Sequence, residues 1–355
     1  MIKKDTPPST TISNIKERYD SLDGLRAYSM ICIVIMHVKA FLPYTKVSVI
    51  GSFSLLVALF MMVSAFSMCC GYYVRVKNGA IQPSKFYGRR YMRILPYYAF
   101  LCMLDFAINP NISALYELFA NTTLCFGLLP NPKMDMMGLG WFIGLIFVFY
   151  LLFPFFVFMI DNKRRSWVSF GVSFIFSLIG LVYFYRPPFV GKDMSIHSIH
   201  NIIYFMPFFV IGGIIYLYRN SIIQYGKSHK LLFALLTLFI SVSYFIAISN
   251  TKNEYITLIL TLFTFSIWVL YAISYNSRFL NNKLTNFLSD ISMEMYLAQM
   301  VVFRGVQMLH PERYIQNDTV LYIVVSLLTL GLLVPFTYIT RNYIVDRIVD
   351  KITKK

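Results

Sequence analysis

The stretch LLFALLTLFISVSYFIAI, Leu231 to Ile248, decides the fold. Its 18 residues carry no formal charge, which is the length a helix needs to cross a bilayer core. A second run, ITLILTLFTFSIWVLYAI from Ile256 to Ile273, follows after a short polar loop. Working outward from these two runs, the chain of 355 residues is 57% hydrophobic and 14% charged. Soluble domains carry about 25% charged residues, so this composition excludes one. A membrane β-barrel is excluded as well, because its strands are short and alternate in polarity. The reading is an all-α integral membrane protein of about ten transmembrane helices. The expected spans are roughly 26–45, 50–74, 94–109, 138–160, 167–185, 201–218, 231–249, 255–275, 288–309 and 319–340.

The formal net charge is +16. In a soluble protein this would suggest nucleic acid; here the positive-inside rule is the plainer cause, and no nucleic acid partner is expected. Placing the N-terminus in the cytoplasm puts 24 of the 32 basic residues in cytoplasmic segments, and the even span number returns the C-terminus to the same side. Residues 1–18 are expected to be a cytoplasmic tail, 19–340 a single transmembrane domain, and 341–355 a basic, amphipathic cytoplasmic tail forming a short interfacial helix. A semi-apolar piece from Leu115 to Phe126 is expected in the interface or re-entering. The polar residues 1–25 do not read as a cleavable signal. Of five cysteines, Cys32, Cys69, Cys70 and Cys102 fall in spans and read as packing residues. His197 and His200 lack an evident third ligand, so no metal is expected.

Charged groups within spans carry the chemistry, since each costs about 2.5–3.5 kcal/mol to insert at mid-bilayer. Arg26 and His37 are separated by a helical rotation about 20° beyond three turns, so they share one face about 16 Å apart. A neutral histidine is a proton acceptor suited to general-base work, and Arg26 could hold an anion arriving from the cytoplasm. The same pattern suits a snorkelling arginine and a histidine satisfied by a neighbouring helix. Arg89, Arg90 and Arg93 can line one side of a helix, beside Tyr87, Tyr91 and Tyr97, in a way that suits a nucleotide bearing several phosphates. Positive-inside bias accounts for the same cluster. Glu294 lies in an apolar helix and calls for a basic partner, functional or structural. Trp141 follows Gly138 and Gly140, where a backbone can approach a ligand closely; it also suits an interfacial aromatic belt. No Gly-rich phosphate loop, HExxH or GxSxG with triad spacing is present.

Leu22-Asp23-Gly24-Leu25-Arg26-Ala27, with His37 after ten residues, resembles the signature of the membrane acyltransferase-3 family. Three later segments agree in order. Arg89-Arg90-Tyr91-Met92-Arg93-Ile94-Leu95-Pro96 looks like the family's arginine-rich third span. Gly140-Trp141-Phe142, with Tyr150 and Phe153-Pro154, is similar to its fourth. Ile291-Ser292 with Tyr296-Leu297 looks like its late Ser–Tyr–Leu motif. The resemblance runs from about 19 to 340. It implies about ten helices with cytoplasmic termini in the plasma membrane. It also implies O-acylation of a cell-surface or lipid-linked glycan, with an acyl-CoA donor, usually acetyl-CoA, approaching from the cytoplasm. His37 would be the base or acyl relay. Arg26, Arg89, Arg90 and Arg93 would position the donor, and Asp23, Trp141, Glu294, Tyr296 and Gln299 are further candidates. Membrane lipid, the glycan acceptor and polysaccharide-assembly proteins are the expected partners. Two positions depart from the family pattern: Ala65 stands where Ser-Gly-Phe has glycine, and Gln299 stands where the late motif usually ends in histidine. No SGNH-type hydrolase segment is expected. A proton-coupled carrier or flippase using His37 and Glu294 is the other reading; the missing internal repeat weighs against it.

Overall fold

A computed structural model describes residues 18–42, 48–108, 110–128, 138–184 and 200–353. Among them there is no strand. The helices are α1 (Ser21–Phe41), α2 (Ser48–Gly51), α3 (Leu56–Lys77), α4 (Pro83–Ile108), α5 (Ile112–Thr122), α6 (Gly140–Met159) and α7 (Lys163–Ile179). They continue with α8 (Ile202–Ser228), α9 (Lys230–Asn250), α10 (Glu254–Ser274), α11 (Lys283–Asp290), α12 (Ser292–Gln307), α13 (Asp318–Ile339) and α14 (Asp346–Thr353). Nine helical segments among the described residues are long and apolar enough to cross a bilayer.

Six helices begin on an asparagine whose side chain accepts from a backbone N–H of the first turn. Asn111, Asn162, Asn201, Asn253, Asn282 and Asn317 start α5, α7, α8, α10, α11 and α13. Each cap satisfies an otherwise orphaned donor and fixes where the apolar run becomes helical. Pro96, Pro154, Pro207 and Pro335 sit inside α4, α6, α8 and α13, as transmembrane helices tolerate. The outer faces of α7 and α9 expose large apolar side chains such as Val168, Leu231 and Phe239, the surface that lipid covers.

The sequence predicts one continuous span over 288–309. The structure breaks it: α11 ends at Asp290, Ile291 leaves helical geometry (φ −102°, ψ 7°), and α12 has 16 residues. At about 1.5 Å per residue α12 is about 24 Å long, short of the roughly 30 Å core. Both local and distant side chains use the backbone groups at the break. The Asp290 carbonyl, which an unbroken helix would use internally, accepts from Arg341 Nη1 at 2.9 Å and Arg93 Nη2 at 3.4 Å. The Ser292 hydroxyl takes the Ser289 carbonyl at 2.8 Å.

The basic tail forms the helix α14, joined to α13 without leaving helical geometry. The chain continues from α13 through a π-helical turn, Thr340–Val345, into α14. The semi-apolar piece becomes α5 and a following 3-10 turn, with Ile112, Tyr116 and Phe119 exposed. Ala65 is fully buried against Gly212 of α8, where an added Cβ would lie 2.9 Å from the Ala65 methyl. The methyl that departs from the family pattern is therefore matched by a glycine across the contact. Residues 1–17, Pro187, Pro188 and His197 lie outside the described residues.

Candidate active site

Two cavities meet inside the bundle. The larger, about 760 Å³, is lined by seven arginines (Arg18, Arg26, Arg75, Arg89, Arg90, Arg93 and Arg219) and by two acids, Asp23 and Asp290. The smaller, about 510 Å³, is lined mainly by apolar side chains together with His37, Trp141, His200, Tyr204 and Arg304. Val57 and Tyr296 line both. These two residues form the septum between the cavities.

The first turns of α1 build one wall of the larger cavity. Arg26 Nη1 donates to Asp23 Oδ1 at 2.9 Å and Nη2 to the Ser67 hydroxyl at 2.7 Å. Asp23 Oδ1 also accepts from the Ser289 hydroxyl at 2.8 Å, and its other oxygen takes Arg18 at 3.2 Å. Asp23 thus ties α1 to α11 and holds the Arg26 guanidinium in place. Gly24 is part of the same joint: a Cβ there would collide with the Leu280 backbone. The Asp23-Gly24-Leu25-Arg26 string therefore combines a hub carboxylate, a backbone close approach and a positioned cation.

The three arginines of α4 do not act as one cluster. Arg89 is exposed at the cavity wall. Arg90 lies over the Tyr72 ring at 5.0 Å and the Tyr150 ring at 5.6 Å, within cation–π range, and donates to the Tyr72 hydroxyl at 3.0 Å. Its Nε is buried without a hydrogen-bond partner. A buried charged donor without a partner is costly, and an anionic oxygen brought against the guanidinium would lower that cost. Arg93 turns to α12, 3.4 Å from Glu294 Oε1. Arg341 closes the same group, 3.7 Å from Glu294 and 2.8 Å from Asp290 Oδ2. Glu294 is buried, and its Oε2 has no hydrogen-bond partner. Sequence reasoning missed Arg341, counted only as a cytoplasmic charge, and Ser67 and Tyr72, whose uncharged side chains gave no signal.

His37 lies on the same helix as Arg26 but opens on the smaller cavity. Its Nδ1 is 3.1 Å from Gln299 Oε1, and Gln299 Nε2 donates to the Tyr296 carbonyl at 2.9 Å. The Tyr296 hydroxyl donates to the Leu139 carbonyl at 3.3 Å, and its ring packs edge-on to Phe142 at 5.5 Å. Trp141 is stacked on His200 at 3.8 Å and 12°. The arrangement sets an arginine-lined chamber beside a more apolar one holding an imidazole, with Val57 and Tyr296 between them. Among the described residues no group of three or more His, Cys, Asp or Glu side chains could hold a metal.

No curated protein and no solved structure matches the chain. A family model described as an acyltransferase domain, Acyl_transf_3, matches residues 19–339, which takes in α1 through α13 and every residue of both cavities except Arg18. With its multiple apolar helices, the chain belongs to the acyltransferase-3 family of membrane acyltransferases.

Proposed function

We propose that the protein transfers an acyl group, in the first instance acetyl, from acyl-CoA to a hydroxyl of a cell-surface or lipid-linked glycan. The observation that carries this reading is the pairing of an arginine-lined cavity with a His37-lined one across Val57 and Tyr296. The basic bias supports a cytoplasmic side of the plasma membrane for the arginine-lined cavity and for both termini. Arg90, with its unpartnered Nε, and Arg26 and Arg89 suit the phosphates of CoA. Cavities of about 300–1,000 Å³ suit ligands of this class.

In this reading the arginines anchor the donor so that its thioester reaches the septum. His37 removes the proton of the acceptor hydroxyl as that oxygen bonds to the thioester carbonyl carbon. The carbon–sulfur bond then breaks, and the imidazolium returns the proton to the departing thiolate. The products are the glycan ester and the free thiol of CoA. A variant of the scheme has His37 accept the acyl group before the hydroxyl does. A positioned general base contributes about 10²–10⁴-fold, so His37→Ala is expected to abolish detectable glycan O-acylation while the protein still accumulates in membranes. Wild-type levels of O-acyl groups on the glycan of a host carrying only this variant refute the proposal.

A second reading draws on the same septum. Two cavities separated by one layer also suit a proton-coupled carrier or flippase, with His37 and Glu294 as proton sites. It predicts transport that depends on a pH gradient and leaves no acyl product, which the same host glycan analysis distinguishes.

A further inference from the structure

We infer that Gln299 is the positioning residue for His37, holding the imidazole in the tautomer that leaves Nε2 unprotonated as the working base. The inference rests on the proposed acyl-transfer reading for its kinetic consequence, but the geometry stands alone.

Gln299 Nε2 lies 2.9 Å from the Tyr296 carbonyl, which can only accept. The amide nitrogen therefore faces that carbonyl, and the amide oxygen faces His37. Oε1 can only accept as well, so the His37 nitrogen 3.1 Å away, Nδ1, must donate. A neutral imidazole has one N–H; with it on Nδ1, the lone pair is on Nε2. Gln299 is 1% exposed and lines neither cavity, whereas His37 lines the smaller one. Gln299 is thus placed behind the base, where it orients the ring without touching a substrate. Its second bond ties the same amide to the backbone of Tyr296, the septum residue. A histidine at this position has one donor or acceptor on each ring nitrogen, so it can bridge the same two neighbours only in one tautomer. The amide carries a fixed donor end and a fixed acceptor end, and its direction does not change with pH.

Among the described residues, the other titratable or charged groups lining the cavity are His200 ahead of α8, Tyr204 of α8, and Tyr296 and Arg304 of α12. From α13, Tyr322 spends its hydroxyl on the Ile35 carbonyl of α1 at 3.1 Å. None of these described groups is a carboxylate, and Arg304 is paired with Asp105 at 3.4 Å, so a carboxylate placed at 299 adds an anion directly against the ring.

The test uses the full-length protein in membranes of a host lacking its own copy, with radiolabelled acetyl-CoA and the host glycan. Gln299→Leu keeps the bulk and removes both polar ends. It is expected to lower kcat by about 10- to 100-fold, part of what a positioned base supplies, with KM for acetyl-CoA unchanged. Gln299→Glu keeps an acceptor for Nδ1–H. It is expected to retain more activity than Gln299→Leu, with the acid limb of its pH–rate profile moved to higher pH, because the carboxylate favours imidazolium. A purely structural role would not move that limb. Independently, ¹⁵N-histidine spectra of the wild type, assigned by subtraction of a His37→Asn sample, should show a protonated Nδ1 and a bare Nε2 in the neutral ring. A protonated Nε2 in the wild type, or a Gln299→Leu protein with unchanged kcat and pH profile, overturns the inference. Absence of any acylated glycan from the wild type overturns the acyl-transfer reading instead, and the spectra then still decide the tautomer.

Discussion

Replacing Arg90 with glutamine tests the larger cavity most directly. The guanidinium is flanked by Tyr72 and Tyr150, one of its nitrogens is satisfied by the Tyr72 hydroxyl, and Nε faces no partner. A phosphate oxygen meeting this group would form a charge-assisted hydrogen bond of about 1.5–3 kcal/mol net. At about 1.4 kcal/mol per decade, its loss weakens donor binding by about 10- to 150-fold. Two features of the site set where in that range the result falls. Six other arginines line the cavity, so part of the field survives. Against that, Arg90 is held in place by two rings, so little entropy is lost when it binds. The measurement is calorimetric binding of CoA to protein in lipid nanodiscs, at two ionic strengths. Arg90→Lys keeps the charge but loses the planar fork, and should fall between wild type and Arg90→Gln. Arg165→Gln, whose side chain pairs with Asp161 away from the cavity, should bind as wild type. Wild-type CoA affinity in folded Arg90→Gln would remove the cavity from any role in holding the donor.

Two further perturbations probe the scaffold. Glu294→Gln should lower the thermal stability of the detergent-solubilised protein by about 2 kcal/mol, less than the ~3–5 kcal/mol of a fully buried pair because Arg93 is 41% exposed; unchanged stability would mean that Arg93 and Arg341 do not need the charge. Gly24→Ala drives a methyl into the Leu280 backbone and should cost about 1–3 kcal/mol, read as a lower unfolding temperature and loss of monodispersity on gel filtration. Gly171→Ala, with open space around the position, should do neither.

The helical class was legible because apolar run length and charge placement are local properties of the chain. The asparagine caps show how locally the helix starts are set. What the chain order does not reveal is which side chains from distant segments converge. Helical periodicity places Arg26 and His37 on one face of α1, as the structure has them, but it does not show that Tyr296 and Val57 divide the space in front of that face. Arg89, Arg90 and Arg93 share a helix side, yet Arg90 is drawn between two rings and Arg93 to Glu294, each by partners on other helices. The break at Ile291 was invisible because the donors that meet its open carbonyl, Arg93 and Arg341, are far away in sequence. Gln299 read as the loss of a histidine until its two bonds showed a directed link between the imidazole and the septum.

That septum has a consequence for the economy of the membrane. If acyl transfer proceeds as proposed, neither reactant has to traverse the bilayer: the soluble donor stays in the compartment that makes it, and the glycan stays where it is displayed. Only a few carbon atoms change sides, handed past Tyr296 from one chamber to the other. The protein then delivers cytosolic chemical potential to an outer surface that has no supply of its own.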